Sequence, residues 1–243
     1  MFPMPGLYKD EGIVLKTIKL GEADRIVTLF TRRNGKVRAV AKGVRKTKSR
    51  FGGRLEPFTR VALLVYQGRN LDTITSADIL TSFDEVRTDY SKLTSGAAIV
   101  EMVEKLTPER ERALSTYALL LAALKALAAG GGPTVVPAFI VKLLSLSGYH
   151  PQLQTCAGCG NGGELGAFSS SLGGAICEAC WRDDREAVRL ASDRIELLSR
   201  LLLEDFGHPA EAAETKEVTQ VLKSYTEYHL ERPLRSLKFL AAH

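Results

Sequence analysis

No apolar run in this sequence is long enough to cross a bilayer. The longest, Tyr117 to Ala129, is interrupted by Lys125, whereas a membrane helix needs about 20 apolar residues. Met1 to Lys9 lacks the apolar centre of a secretory leader, so a cytoplasmic chain with no membrane partner is expected. Histidine is scarce: there are four, and His150, His208, His229 and His243 fall into no metal-ligand spacing. A Gly-x-x-x-x-Gly-Lys phosphate loop and a Gly-x-Ser-x-Gly elbow are both missing. Gly160-Asn161-Gly162-Gly163-Glu164-Leu165 lacks the last glycine of a dinucleotide loop. The nearest thing to a magnesium-binding acid cluster is Asp183-Asp184, a pair that suits a helix N-terminus. These absences point away from an enzyme, with no catalytic residue to assign, and toward a binding protein.

Acid is missing where base is most abundant. Between Arg32 and Arg60 the chain holds Arg32, Arg33, Lys36, Arg38, Lys42, Arg45, Lys46, Lys48, Arg50, Arg54 and Arg60 against the single acid Glu56. Residues 1–80 carry 16 Lys and Arg against 7 Asp and Glu, net +9, and the remainder carries 17 against 21, net −4. A charge so placed reads as a surface for a polyanion. Phe51, among Lys48, Arg50 and Arg54, either stacks on a base or folds under its own loop as an anchor.

The basic stretch sits in a strand-rich half. Gly12 to Ile18, Arg25 to Phe30, Lys36 to Ala41, Arg60 to Gln67 and Leu71 to Ala77 read as five strands. Gly21 suits one turn and Asn34-Gly35 a tight hairpin, both residues tolerating positive φ. Val37, Ala39 and Ala41 alternate with Lys36, Arg38 and Lys42, which puts the cations on one face. Met1 to Lys9 is expected to be a loose arm, and Gly43 to Arg54 an exposed loop. Five short strands with a long connection between the third and fourth fit the Greek-key barrel called the OB-fold, in preference to an SH3-like barrel.

From Phe83 the apolar period becomes helical. Val86, Tyr90, Leu93, Ala97, Val100, Val103 and Leu106 recur on one face. Thr107-Pro108 is expected to close that helix and cap the next, which runs to about Ala129. Gly130 to Pro133 stops it, and further helices are expected over Pro137 to Leu146, Ile195 to Phe206 and Thr215 to His229.

All four cysteines lie between those helices, as Cys156-Ala157-Gly158-Cys159 and Cys177-Glu178-Ala179-Cys180. Two Cys-x-x-Cys pairs at this separation match a four-cysteine zinc site. Disulfides fit poorly without an export signal, a redox pair needs only one such motif, and iron–sulfur clusters commonly use other spacings. Four protein ligands leave no open position for water, so one structural Zn2+ on Cys156, Cys159, Cys177 and Cys180 is expected. Arg182 and Arg185 beside it read either as a solvated helical face or as charge offered to DNA or a partner.

The whole is an α+β multidomain chain. Residues 1–80 form a five-stranded basic OB-fold barrel for nucleic acid, residues 81–150 and 191–243 an all-α domain, and residues 151–190 a four-cysteine zinc-binding insert. Composition leaves the ligand open between DNA and a ribosome-associated RNA, and a protein-interaction scaffold with a solubilising basic loop is a further alternative.

Glu11-Gly12-Ile13-Val14-Leu15, Gly21-Glu22-Ala23-Asp24-Arg25-Ile26-Val27-Thr28-Leu29, Ala41-Lys42-Gly43-Val44-Arg45 and Tyr228-His229-Leu230 together resemble the RecO family of bacterial recombination mediators. The resemblance spans essentially the whole chain and its order of parts. Glu231 and Pro233 intrude among Arg232, Arg235 and Lys238, where the family pattern runs to basic residues. The resemblance implies a protein that binds single- and double-stranded DNA and anneals complementary strands. It also implies work with RecR to load RecA onto DNA covered by single-stranded DNA-binding protein. On this reading Arg32, Arg33, Lys36, Arg38, Lys42, Arg45, Lys46, Lys48, Arg50 and Arg54 contact DNA, with Phe51 as a stacking residue.

Overall fold

A computed structural model describes residues 6–207 and 209–236. Met1 to Pro5, His208, Lys238 and His243, weighed above, lie outside the described residues. Five strands, β1 (Leu7–Leu20), β2 (Asp24–Thr31), β3 (Gly35–Ala41), β4 (Arg60–Tyr66) and β5 (Asp72–Thr81), close into a barrel in the order β1-β2-β3-β5-β4. That is the OB-fold order, sealed by a short parallel contact of Ala39 with Asp72 and Val40 with Thr73. The alternation read in β3 holds, with Val37, Ala39 and Ala41 buried in the barrel and Arg38 exposed.

Two local expectations fail for physical reasons, and a third holds except at one residue. Leu7 to Lys9 belong to β1, not to a loose arm, because they pair with Tyr66, Val65 and Leu64 of β4. The reversal after β2 takes three residues, Arg32 to Asn34, between the paired Thr31 and Gly35. Gly35, with φ 62°, supplies the left-handed residue of such a loop. Gly43 to Arg54 is an exposed loop except at Phe51, which is buried and, with Leu55 just beyond, joins Val14, Val27, Leu29 and Ile74 inside the barrel. There the two help the strand side chains to fill the barrel interior.

The helical part comprises α1 (Asp84–Thr88), α2 (Tyr90–Leu106), α3 (Leu114–Ala128) and α4 (Val135–Leu146), then α5 (Glu178–Asp183), α6 (Ser192–Leu203) and α7 (Ala212–Leu230). The single helix expected from Phe83 is broken at Asp89, which is extended and caps α2 by accepting the Lys92 amide at 2.9 Å. Tyr90 and Leu93 accordingly leave the apolar stripe; Tyr90 is 62% exposed. Thr107 ends α2, but α3 starts only at Leu114. The intervening Pro108 to Ala113 runs against the barrel, where the Arg110 amide donates to the Lys36 carbonyl at 2.9 Å. A Cβ on Gly35 would fall 1.8 Å from the Glu111 carbonyl oxygen, so glycine is required there by contact as well as by φ.

Between α4 and α6 the cysteine segment forms a small sheet that the sequence did not announce: β6 (Leu165–Ser169), β7 (Gly174–Cys177) and β8 (Val188–Arg189), in the order β7-β6-β8. Its inner face is not an appendage. Leu165, Ala167, Phe168, Ala175 and Ile176 share one apolar core with α2, α3, α4, α6 and α7, and Phe168 meets Tyr225 edge-on at 5.3 Å. Among the described residues, no helix is long and apolar enough to cross a membrane.

Candidate nucleic-acid interface and metal centre

The four cysteines converge as their spacing predicts. Cys156 and Cys159 sit on a turn closed by the Gly160 amide on the Cys156 carbonyl at 2.8 Å, Cys177 ends β7, and Cys180 lies in α5. Their sulfurs all lie within 4.8 Å of one another, and those of Cys159 and Cys177 are 3.8 Å apart. A tetrahedron with metal–sulfur bonds of about 2.3 Å has edges of about 3.8 Å, whereas a disulfide is about 2.05 Å. The set therefore fits one tetrahedral metal ion. Gly158 makes the close wrap possible, since a Cβ there would fall 2.9 Å from the Cys180 sulfur. Burial works to raise the Cys156 thiol, yet the amides of Cys177, Cys159 and Gly158 hold it down at about 6. Hydrogen bonding to Cys156 and Cys159 pushes Cys180 up to about 12.

The basic residues, contiguous in sequence, are divided by the fold. β3 is seven residues long, so at about 3.3 Å per residue its two ends lie roughly 20 Å apart. Arg32 and Arg33 are exposed on the β2–β3 turn, where Asp10 holds the turn by accepting from the Arg33 amide and the Asn34 side chain. Lys42, Lys46, Lys48 and Arg50 are exposed at the other end. Among the described residues, no carboxylate comes within ion-pair distance of these four. Arg54 donates to the Arg50 carbonyl at 2.6 Å, and Arg38, midway, faces Glu109 at 3.9 Å. Arg45 is turned onto the carbonyls of Gly21 and Glu22 at 3.2 and 2.8 Å.

Two assigned residues are corrected. Phe51 is 1% exposed inside the barrel, so its ring is unavailable to a base; the Arg50 guanidinium lies over it at 4.9 Å. The Lys36 ammonium does not face solvent with Arg38 but donates to the Glu104 and Thr107 carbonyls at the end of α2, each at 2.5 Å. Burial lowers its pKa. The exposed cations of the barrel that went unassigned include Lys9 on β1, Lys19, opposite Arg25 in the β1–β2 register, and Arg69 on the β4–β5 turn. Counting back from the Gly21 turn would have found Lys19. Asp183 and Asp184 end α5 and do not begin a helix, and Asp184 accepts from Ser169, Ser171 and the Glu186 amide. His229 is enclosed by Tyr149, Tyr225 and Tyr228, with ring centroids 4.5 to 5.2 Å away, its Nε2 buried without a partner and its pKa lowered by burial.

The chain matches known proteins along most of its length. The family described as Recombination protein O N terminal matches residues 4–83, and Recombination protein O C terminal matches residues 87–238. The DNA repair protein RecO of Bifidobacterium adolescentis is 44% identical over 245 residues, covering 96% of this chain and 99% of its own. That of a Nocardioides species is 44% identical over 243 residues, with the same coverage. That of Streptomyces coelicolor is 42% identical over 247 residues, covering 96% and 98%. The two family models, with relatives covering 96% of its length, make the chain a member of the RecO family of DNA repair and recombination proteins.

Proposed function

We propose that the chain is a non-enzymatic recombination mediator that binds single- and double-stranded DNA at the β3–β4 end of its barrel and anneals complementary strands. The observation that carries this reading is the loop bearing Lys42, Lys46, Lys48 and Arg50, exposed and, among the described residues, without an acid within ion-pair distance. Two DNA strands repel through their phosphates; a cationic surface neutralises both, releases their counterions and leaves base edges free to pair. Arg32, Arg33 and Arg38 extend the surface along β3. No bond is made or broken. Family membership supports the finer roles: joint action with RecR, and delivery of RecA to DNA covered by single-stranded DNA-binding protein, in the cytoplasm at the nucleoid. The metal is zinc, one per chain, and structural, because all four positions of a tetrahedral ion are filled by cysteine. Residues 1–80 then act as the DNA module, residues 81–150 and 191–243 as the helical module and residues 151–190 as its zinc staple.

The test is annealing of complementary labelled oligonucleotides at low salt, comparing the native chain with one in which Lys42, Lys46, Lys48 and Arg50 are all changed to Glu. Acceleration by the native chain and its loss in the variant are expected. Equal rates with both chains would contradict the reading, and stronger binding to matched RNA would redirect it to RNA.

A further inference from the structure

Two of the stretches that stood out in the sequence, Gly21-Glu22-Ala23-Asp24-Arg25 and Ala41-Lys42-Gly43-Val44-Arg45, grip each other in the fold. The Asp24 carboxylate accepts the Gly43 amide at 2.7 Å, and the Ala23 carbonyl accepts the Arg45 amide at 2.9 Å. The Arg45 guanidinium then reaches back to the Gly21 and Glu22 carbonyls. Gly21 and Gly43 have φ of 55° and 69°, so both chains turn through the left-handed region beside the clasp. Further along, Glu56 pairs with Arg25 at 2.9 Å and ties the far part of the loop to β2.

We propose that Arg45 is a positioning residue for DNA, acting with Asp24 to hold the β3–β4 loop on the β1–β2 turn so that Lys42, Lys46, Lys48 and Arg50 face one strand together. The inference rests on the DNA-binding role proposed above. Carbonyl dipoles already surround the Arg45 charge, which leaves less of it for a phosphate. Arginine suits the post because its planar group offers several donors in fixed directions, where lysine offers a point charge on a freely rotating stem. Asp24 is an acid beside a cationic surface, an arrangement that weakens polyanion binding through its field. Its carboxylate makes sense there as the acceptor that fixes Gly43.

That conflict of sign supplies the test. Single-stranded DNA binding is measured over a salt series for the native chain, Asp24→Ala and Arg45→Lys, with thermal unfolding as a check on folding. The clasp predicts that both variants bind about tenfold more weakly at one salt concentration, an ordering cost of the now untethered loop. Their salt slopes match the native slope, since no phosphate-contacting cation is lost, where loss of one would lower the slope by about 1. Tighter binding by Asp24→Ala, or native binding by Arg45→Lys, overturns the inference while leaving the DNA reading intact. Arg45→Lys replaces an exposed side chain and decides the matter even if Asp24→Ala does not fold. Absence of salt-dependent DNA binding by the native chain overturns the DNA reading itself. Amide hydrogen exchange of residues 42–50 in the DNA-free chain then judges the clasp separately: faster exchange in the variants is expected, and unchanged exchange refutes it.

Discussion

Phe51 and Lys36 lie in the most basic stretch of the chain, yet both turn inward, and for different reasons. An aromatic ring gains more from a barrel interior with Leu55 and Val14 around it than from water. Phe51→Ala should therefore lower the free energy of unfolding by about 3–5 kcal/mol, read by urea denaturation, and leave the salt slope of DNA binding unchanged. A stacking role would give the opposite pattern. Lys36 answers the unpaired carbonyls at the end of α2, where a cation meets the negative end of the helix dipole. Lys36→Met keeps the stem and removes the donors. It should cost about 1–3 kcal/mol of stability and leave the salt slope intact, whereas loss of a phosphate-contacting lysine would lower the slope by about 1.

Among the elements, the same device recurs: Lys92 donates to the Ala128 carbonyl at the end of α3, and Lys142 to the Leu202 carbonyl in the last turn of α6. The four-cysteine segment works differently: β6 and β7 pack into the helical core beside the turns that carry the cysteines, so a metal holding those turns would also hold the sheet. The sole tryptophan, Trp181 in α5, lies 3.8 Å under the Arg189 guanidinium and reports on this segment. Chelation should release one zinc per chain, shift Trp181 emission and lower the melting temperature by roughly 6–12 °C, corresponding to a loss of about 3 kcal/mol. An unchanged emission spectrum with the metal gone would mean the segment folds without it. The barrel strands and the cysteine cluster were legible in the sequence because alternation, turn glycines and fixed ligand spacing are local signals. The break at Asp89 was not, because Tyr90 and Leu93 fall on a helical period although solvent covers them. Nor was the β6–β8 sheet, whose strands are two to five residues long and rich in Gly, Ala and Ser. The division of the cations between two barrel ends follows from topology, which no run of charge encodes.

The molecule as a whole depends on how the barrel is bolted to the helices. Glu11 on β1 accepts from Tyr117 on α3 at 2.5 Å and pairs with Arg60 on β4 at 2.8 Å, while buried Asp72 takes Tyr8 and Arg110, each at 2.6 Å. Burial acts to raise the Glu11 carboxyl, but the bonds from Tyr117 and Arg60 outweigh it and hold the pKa below its usual value. A depressed carboxylate stabilises the native chain at pH values above its unfolded pKa of about 4.3, and that contribution is lost as pH falls through the native value. Glu11→Gln should thus cost about 1–2 kcal/mol at pH 7 by urea denaturation, with the difference from the native chain shrinking as pH falls below about 4. A difference independent of pH would remove the ion pair from the account.

The central claim, that DNA is held by the free cations of the β3–β4 loop, is tested most directly by single- and double-stranded DNA affinity over a salt series. If roughly six to ten phosphates are neutralised, native affinity falls about 10³- to 10⁵-fold between about 50 and 200 mM salt. Changing Lys42, Lys46, Lys48 and Arg50 to Glu should then weaken binding at every salt concentration and reduce the slope by about 3–4. A variant that binds with native affinity and native slope would move the DNA off the barrel and contradict the account.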